Sequence, residues 1–268
     1  MSGPSDWGVT GSTPEIYESV FVPAMVAEWV PRVIALANPG VGEHVLDAAC
    51  GTGVLTRSVA SLVGPNGRVV GLDLNPAMLA VARMSAPDPS NAVPIEWREG
   101  DVGAVPYESD AFDIVFCTWS LMFFPDRVAC LKEMRRVLKP DGCLALSVWG
   151  SISKCPGQMA MKESWERHLG ADVGDRISRQ HVLGEPEIVR SLIAEAGFRD
   201  ISVETAMGAV RIPSPEQLAR SYGAMAGILA DEKTRDMVID DVSRALESYV
   251  GVEGLAYPIE AVLAWARK

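Results

Sequence analysis

Three aspartates and a pair of glycines are the residues of this sequence best placed to do chemistry together. The apolar run His44–Leu46 ends on Asp47, and the chain then turns through Ala48, Ala49, Cys50, Gly51, Thr52 and Gly53. Val54, Leu55, Ser58, Val59 and Leu62 follow at helical spacing. A strand, a glycine turn and a helix let the backbone approach a ligand and offer it the free N–H groups of a helix start. A pyrophosphate-binding turn reads G-x-G-x-x-G, whereas the third glycine position here is Thr56. Asp47 would repel a phosphate and suits an ammonium group instead. Asp73 and Asp101 each close a further predicted strand. Ligands of open parallel sheets bind beyond the carboxyl ends of the strands, so the three acids would form one rim. Asp73 stands where a carboxylate accepts two ribose hydroxyls. Asp101 can accept from an exocyclic adenine amine, with the Val102 N–H on a ring nitrogen. Taken singly, each acid reads as a loop or capping residue. Their common register with the glycine turn argues for a ligand.

The elements that must hold these residues alternate along the chain. Strands are predicted at Arg68–Leu72, Pro94–Arg98, Phe112–Cys117 and Cys143–Trp149, and helices after Asn75-Pro76 and over Asp126–Leu138. Lys139-Pro140-Asp141-Gly142 reads as the turn into the fifth strand. Such alternation implies a parallel sheet covered on both faces. Before it, Thr13-Pro14-Glu15 reads as a helix start with Thr13 as cap. A second helix begins near Pro23, with Pro31 as its kink and an apolar stripe through Val26, Trp29, Val30, Val33, Ile34 and Ala37. After it come a helix around Gln158–Leu169, one over Pro186–Ala196 and a strand at Ile201–Ala206. Ser214-Pro215-Glu216-Gln217 opens a helix as a capping box, and 232–250 is a further helix closed by Gly251. Tyr257–Trp265 has no clear period and fits either a strand or a helix. The expected organisation is an N-terminal helical segment (1–38), a core (39–150), an insertion (151–185), and the remainder of the core (186–268) carrying a helical insertion at 214–250.

The 268 residues, 48% hydrophobic, suffice for one domain with additions or two small ones. A net charge of −11 disfavours a nucleic-acid backbone or an anionic membrane surface. Five scattered cysteines without a C-x-x-C pair read as reduced thiols. No leader sequence and no membrane-length apolar run is seen, so a cytoplasmic protein is expected. No metal site is expected, because no His, Cys and carboxylate cluster has ligand spacing.

Val45–Gly53, Val70–Leu79, Glu99–Val102, Phe112–Val115 and Arg136–Gly142 resemble the ordered motifs of class I S-adenosylmethionine-dependent methyltransferases. The subgroup resembled is the ubiquinone/menaquinone-biosynthesis-like, type 11 one, and the likeness covers about residues 40–150. S-adenosylmethionine carries an ammonium and a carboxylate and no phosphate, as the Asp47 turn asks. The resemblance implies a Rossmann-like, seven-stranded, mostly parallel sheet with helices on both faces and an antiparallel last strand at Tyr257–Trp265. It implies that Asp47, Ala49, Cys50, Gly51 and Gly53 line the methionine moiety, Asp73 the ribose, and Asp101 and Val102 the adenine. Leu74 and Met78 would pack on the adenosine, the backbone at Cys117–Thr118 would meet the ammonium, and Tyr17 would fold over the cofactor. Ala49 stands where many members have glycine, and Trp119 is bulky where the methyl would emerge.

Methyl transfer is an in-line displacement in which the cofactor supplies the electrophile and the protein supplies position. Thr118-Trp119-Ser120-Leu121 lacks the Asn-Pro-Pro-Tyr pattern of adenine and glutamine-amide methyltransferases. Trp119, Phe123 and Trp149 are the candidates for an aromatic acceptor pocket. No catalytic residue is assigned: His168 and His181 are the only candidates for a base, the surface histidine being the more ordinary reading of each, and His44 reads as structural. The expected reaction is methylation of a small aromatic, quinone-like or polyketide-like acceptor, on oxygen before carbon or nitrogen. The alternatives are a nicotinamide-dependent oxidoreductase and a non-catalytic S-adenosylmethionine-binding subunit. Trp29, Met159, Met161, Trp165, Met225 and Leu229 would give 14–37, 150–185 and 214–250 apolar faces for a cap over the pocket. A homodimer interface or added core on the outer layer is the alternative, for 214–250 above all.

Overall fold

The computed structural model describes residues 7–85 and 93–268. In chain order it contains α1 (Thr13–Ile16), a π-helix (Tyr17–Val26), α2 (Val30–Ala37), β1 (His44–Ala48), α3 (Val54–Val63), β2 (Arg68–Asp73), α4 (Pro76–Met84), β3 (Ile95–Glu99), β4 (Phe112–Thr118), α5 (Arg127–Val137) and β5 (Leu138–Trp149). There follow α6 (Pro156–Leu169), α7 (Ala171–Ser178), α8 (Pro186–Glu195), β6 (Arg199–Ile212), α9 (Pro215–Met225), α10 (Glu232–Ala245), β7 (Val250–Gly251) and β8 (Gly254–Arg267). The chain divides into two compact units. A sheet unit comprises Trp29–Val148, Leu183–Ala206 and Ala261–Lys268, and a helical unit comprises the chain up to Glu28, Trp149–Val182 and Met207–Glu260.

The sheet runs β3-β2-β1-β4-β5-β8-β6, with β7 paired to β8 off this path. The seven expected strands are present, and β7 adds an eighth. Strands β1 to β5 pair in parallel, as in Leu46 opposite Val70 and Val115. The carboxyl ends of β1 to β4 therefore share one edge. Val45, Leu46, Val69, Val70, Val115 and Leu144 are fully buried, each worth about 1.5–3 kcal/mol of transfer free energy. The Lys268 N–H donates to Gly142 O and the Gly150 N–H to Glu260 O. As β5 ascends in number β8 descends, so β8 is antiparallel to it.

Several local expectations are corrected. Ser12, not Thr13, caps α1, exchanging hydrogen bonds with Glu15 in a capping box. Pro23 lies inside the π-helix, so no helix begins there, and Pro31 sits in the first turn of α2 rather than kinking it. Lys139–Gly142 is not a turn before the strand but an excursion within β5. The β4–β5 register jumps there from Phe112 opposite Leu138 to Ile114 opposite Cys143. Gly142 fits it because a Cβ would fall 2.8 Å from Asp113 O. The helix over 232–250 ends at Ala245, and Gly251 pairs with Gly254 in a β-hairpin rather than capping a helix.

The helical unit has its own core. Trp7 is fully buried and donates through Nε1 to Ile228 O at 2.7 Å. Met161, Trp165, Leu218, Val238 and Val242 are buried in the same unit. Leu229, expected on an apolar face, lies beyond the end of α9 and is 84% exposed.

Candidate functional site

The loop after β1 owes its shape to three left-handed residues, Ala49 (φ 58°), Gly51 (φ 57°) and Gly53 (φ 81°). A side chain is strained in that region, so glycine at two of the three positions relieves the turn. Gly53 has a second reason to be glycine: a Cβ there would fall 2.3 Å from the Trp97 ring. The Cys50 N–H donates to Leu72 O at 2.9 Å and the Gly53 N–H to Cys50 O at 2.9 Å. The loop is thereby hung on β2 and closed on itself before α3 begins.

Asp73 ties this loop to the next. Its Oδ2 accepts from the Gly51 N–H at 2.7 Å and its Oδ1 from the Asn75 N–H at 2.8 Å. A carboxylate oxygen accepts more than one hydrogen bond, so the half-buried group keeps capacity for a ligand. Asp101, exposed after β3, accepts the Gly103 N–H at 2.7 Å.

Asp47 is the buried acid of the trio, 1% exposed. Its Oδ2 accepts from Thr56 Oγ1 at 2.6 Å, while Oδ1 has no hydrogen-bond partner. Burial pushes its carboxyl up to about 7, with Asp73 adding to the rise and the Thr56 hydroxyl opposing it. A buried carboxylate in this position is stabilised by an arriving cation. That is the fit test for a ligand bearing an ammonium or sulfonium group, and these residues pass it.

Ala49, Asp73, Leu74, Asp101, Val102 and Phe123 line one cavity of about 380 Å³, together with Phe124 to Asp126, Ala129 and Cys130. Its size is that of a small-molecule site. Leu74 and Phe123 stand 67% and 62% exposed on its wall, apolar surface that a flat ring would cover. The first turn of α5, capped by Asp126 on the Ala129 N–H, supplies a wall that sequence reasoning missed. The predicted helix start at Asp126, just past the end of β4, was the available signal.

The remaining candidates are more scattered. Met78 is half-buried on α4, and the Cys50 thiol is buried and held well above its usual range by desolvation. Cys117 is fully buried, its thiol pushed up to about 12 by desolvation and its Sγ 3.2 Å from Ser120 Oγ. Thr118 is half-buried at the end of β4. Trp119 has a left-handed φ of 54° and is 8% exposed. Its N–H donates to Ser147 O, and its ring meets Trp29 edge-on at 5.9 Å. It is not among the residues lining the cavity.

Tyr17, Trp149, His168 and His181 belong to the helical unit. Tyr17 is half-buried and Trp149 buried. His168 Nε2 is 2.9 Å from Asp241 Oδ2, in an ion-pair group with Arg167. His181 is 8% exposed, its Nδ1 2.8 Å from Gly150 O, and its Nε2 has no partner. Neither histidine is therefore a simple surface residue. His44, the first residue of β1, donates its backbone N–H to Asp113 Oδ2.

Among the described residues no group of three metal-ligating side chains converges. Among them, too, no single helix is long and apolar enough to cross a membrane.

Comparison with known proteins agrees with this geometry. Residues 46–146 match the model of a family described as a methyltransferase domain. The chain is 32% identical over 188 residues to the demethylmenaquinone methyltransferase of Lactobacillus johnsonii, covering 65% of this chain and 75% of that protein. It is 37% identical over 118 residues to the 2-phytyl-1,4-naphtoquinone methyltransferase of Synechococcus elongatus, covering 44% of this chain and 51% of that protein. The fold is shared with Haemonchus contortus phosphoethanolamine N-methyltransferase 2, solved with phosphomonomethylethanolamine and S-adenosylhomocysteine. That match has a TM-score of 0.59 and 19% identity over 98% of this chain and 57% of that one.

A parallel sheet with a left-handed glycine loop and an acidic rim at its carboxyl edge is the architecture of a Rossmann-like methyltransferase. The chain belongs to the class I S-adenosylmethionine-dependent methyltransferases of the quinone-biosynthesis-like type. It is an enzyme, and its reaction is methyl transfer to a small molecule.

Proposed function

We propose that this enzyme methylates a quinone-like or related hydroxylated aromatic ring, on oxygen before carbon or nitrogen. The observation that carries the cofactor side is the acidic rim: Asp73 and Asp101 on one cavity wall, with Asp47 buried behind the glycine loop. The acceptor side is supported by the quinone substrates named for the relatives in Lactobacillus and Synechococcus.

In this reading Asp73 holds the ribose hydroxyls while it braces the Gly51 and Asn75 amides. Asp101 and the Val102 N–H hold the adenine, and Leu74, Met78 and Phe123 cover its faces. Phe123 moves from the acceptor pocket to the cofactor wall because it lines the same cavity as Asp73 and Asp101. Ala49, Cys50, Gly51 and Gly53 carry the methionine end, with the Cys117–Thr118 backbone toward its ammonium and Asp47 countering its charge. Tyr17, Trp119 and Trp149 remain proposed contacts of the cofactor and the acceptor. S-adenosylmethionine supplies an electrophilic methyl group when bound, and the protein aligns the acceptor behind it. That alignment is worth on the order of 7–11 kcal/mol.

Of the two histidines, His181 suits the removal of an acceptor proton better. The Nδ1–H that donates to Gly150 O fixes the tautomer in which Nε2 is the acceptor, and burial lowers its pKa, leaving it neutral. His168 is engaged by Asp241.

Calorimetric titration with S-adenosylmethionine, S-adenosylhomocysteine, NAD and NADP tests the cofactor assignment. The expected result is binding of the first two only. Binding of NAD without S-adenosylhomocysteine would overturn it. Mass spectrometry of the product from 1,4-dihydroxynaphthalene then locates the methyl group.

A further inference from the structure

Within the sheet unit, helix α5 lines the cavity that holds Asp73 and Asp101 and, one turn further on, grips a loop that lines the same cavity. Asp126, Ala129 and Cys130 at the start of α5 are on its wall, and so are Asp101, Val102 and Gly103 from the loop after β3. Glu133 and Arg136 follow Ala129 at spacings of four and seven, which places all three on one face of α5. The Arg136 guanidinium donates through Nη1 to Tyr107 O at 2.8 Å and through Nη2 to Val105 O at 2.9 Å. Its Nε and Nη2 also donate to the two carboxylate oxygens of Glu133, at 2.8 and 2.9 Å. Glu133 Oε2 accepts the Val105 N–H at 3.1 Å. One ion pair therefore holds both polar backbone groups of Val105 and the carbonyl of Tyr107.

The loop is fixed at both ends. At its start the Gly100 N–H donates to Asp73 O at 3.1 Å, which joins it to β2. At its end the Tyr107 hydroxyl donates to Glu96 Oε1 on β3 at 2.7 Å. In between, the Gly103 N–H closes on Asp101 Oδ1 and the Ala104 N–H on Asp101 O. Arg136 holds the Glu133 carboxyl below its usual range, so the pair stays charged at neutral pH. The two side chains are 34% and 25% exposed, and a pair that meets solvent adds little stability by charge alone. What a guanidinium supplies is direction, because its planar fork fixes several acceptors at once. Hydrogen bonding to the edge of a heterocycle needs that direction: the contacting groups must be held to within about 0.5 Å by the groups behind them.

We propose that Glu133 and Arg136 position Asp101 and Val102 for the edge of the adenine, so that α5 sets the spacing between its own first turn and the loop. The inference rests on the reading of Asp101 and the Val102 N–H as the adenine contacts. Glu133 and Arg136 are positioning residues, since neither is among the residues lining the cavity. Adenine presents an amine donor beside a ring-nitrogen acceptor, and these meet a carboxylate and an amide N–H. Hypoxanthine presents a carbonyl and a ring N–H in the same places, so a rigid Asp101–Val102 pair rejects it. A loosened loop can slide until the carboxylate meets the ring N–H. Selectivity between the two bases is therefore what the clamp protects.

The test titrates the full chain in a calorimeter with S-adenosylhomocysteine and with S-inosylhomocysteine, well below the melting temperature of each protein. Wild type, Asp101→Ala, Glu133→Gln and Arg136→Lys are compared. Glutamine keeps the size of Glu133 and loses its charge, while lysine keeps the charge of Arg136 and loses the fork. Wild type should prefer S-adenosylhomocysteine by about 100-fold or more, since a site built for one hydrogen-bond pattern rejects the analogue that lacks it. Asp101→Ala should weaken S-adenosylhomocysteine about 10- to 100-fold. Glu133→Gln and Arg136→Lys should each lower the preference about 10-fold. A loss of stability alone would weaken both ligands equally and leave their ratio as it was. An unchanged ratio in either clamp variant, whatever its melting temperature, overturns the inference alone. Wild type without a preference, or Asp101→Ala with wild-type affinity for S-adenosylhomocysteine, overturns the adenine reading and the inference with it.

Discussion

The two units of this chain are built on opposite principles. In the sheet unit the candidate residues lie within a few positions of a strand end: Asp47 next to last in β1, Asp73 closing β2, Asp101 after β3, Phe123 after β4. Each is placed by its own strand and turn, and parallel pairing brings them to one edge. In the helical unit the contacts that matter join distant segments. Trp7 bonds to Ile228 across 221 positions, and Gln158 to Tyr222 across 64. The contrast teaches that the proposed cofactor contacts rest on local, repeatable geometry. A buried polar contact such as that of Gln158 and Tyr222 can instead be assembled from segments that carry no motif.

Close glycine contacts give the sharpest break of this comparison. Gly53→Ala must push back the Trp97 ring and adopt φ 81°. Overpacking costs about 1–3 kcal/mol, and the left-handed backbone adds about 1–2 kcal/mol. A urea midpoint should show a loss of several kcal/mol, and S-adenosylhomocysteine binding should fall with it. Gly223→Ala in the helical unit would place a Cβ 2.2 Å from the fully buried Trp7 ring. Its stability loss should be similar, but any folded fraction should bind S-adenosylhomocysteine normally. Equal loss of cofactor affinity in both variants would erase the distinction between the units.

Next in size is Asp73→Ala. Hydrogen bonds to a charged acceptor are worth roughly 1.5–3 kcal/mol each, so S-adenosylhomocysteine affinity should fall about 10- to 1,000-fold. Because Asp73 also holds the Gly51 and Asn75 amides, the melting temperature should drop too. Unchanged affinity in the calorimeter would show that the ribose is bound elsewhere.

Asp47 predicts a pH signature. Its carboxyl is raised from 3.8 to about 7, so between those values the folded protein holds a proton that the unfolded chain has lost. Stability without ligand therefore falls as pH rises from about 4 to 7, by up to about 4 kcal/mol at 1.36 kcal/mol per unit. Asp47→Asn should flatten that slope in pH-dependent chemical denaturation while weakening S-adenosylhomocysteine binding. A slope that survives the substitution would place the titrating group elsewhere.

The smallest effect concerns the surface. Arg199 pairs with Asp141 at 2.6 Å, with 55% and 73% of the side chains exposed. Arg199→Ala should cost less than about 1 kcal/mol and leave KM and cofactor affinity untouched. A larger loss by thermal denaturation would show that this pair braces the left-handed Asp141 excursion in β5.

What the sequence determined by itself was everything whose cause is local. Periodicity and turn residues placed six of the seven strands and the glycine loop, because alternation of apolar runs with helical stripes reflects burial on a covered sheet, whereas Tyr257–Trp265 shows no clear period and only the family resemblance made it a strand. The spacing of Asp47, Asp73 and Asp101 behind successive strands disclosed the rim. Local chemistry was misread where neighbours in space decided it. Ser12 took the cap from Thr13 through Glu15, and Lys139–Gly142 became part of a strand once β4 lay beside it. Only the tertiary structure could give Asp47 its unpaired oxygen, since that depends on Thr56 and burial rather than on the Asp itself. Only it could move Phe123 to the wall shared with Asp73, or turn Trp119 toward Trp29. Gln158, Tyr222 and Tyr257 carry no sequence signal at all. They lie far apart in the chain, and their common burial arises solely from how α6, α9 and β8 pack within the helical unit.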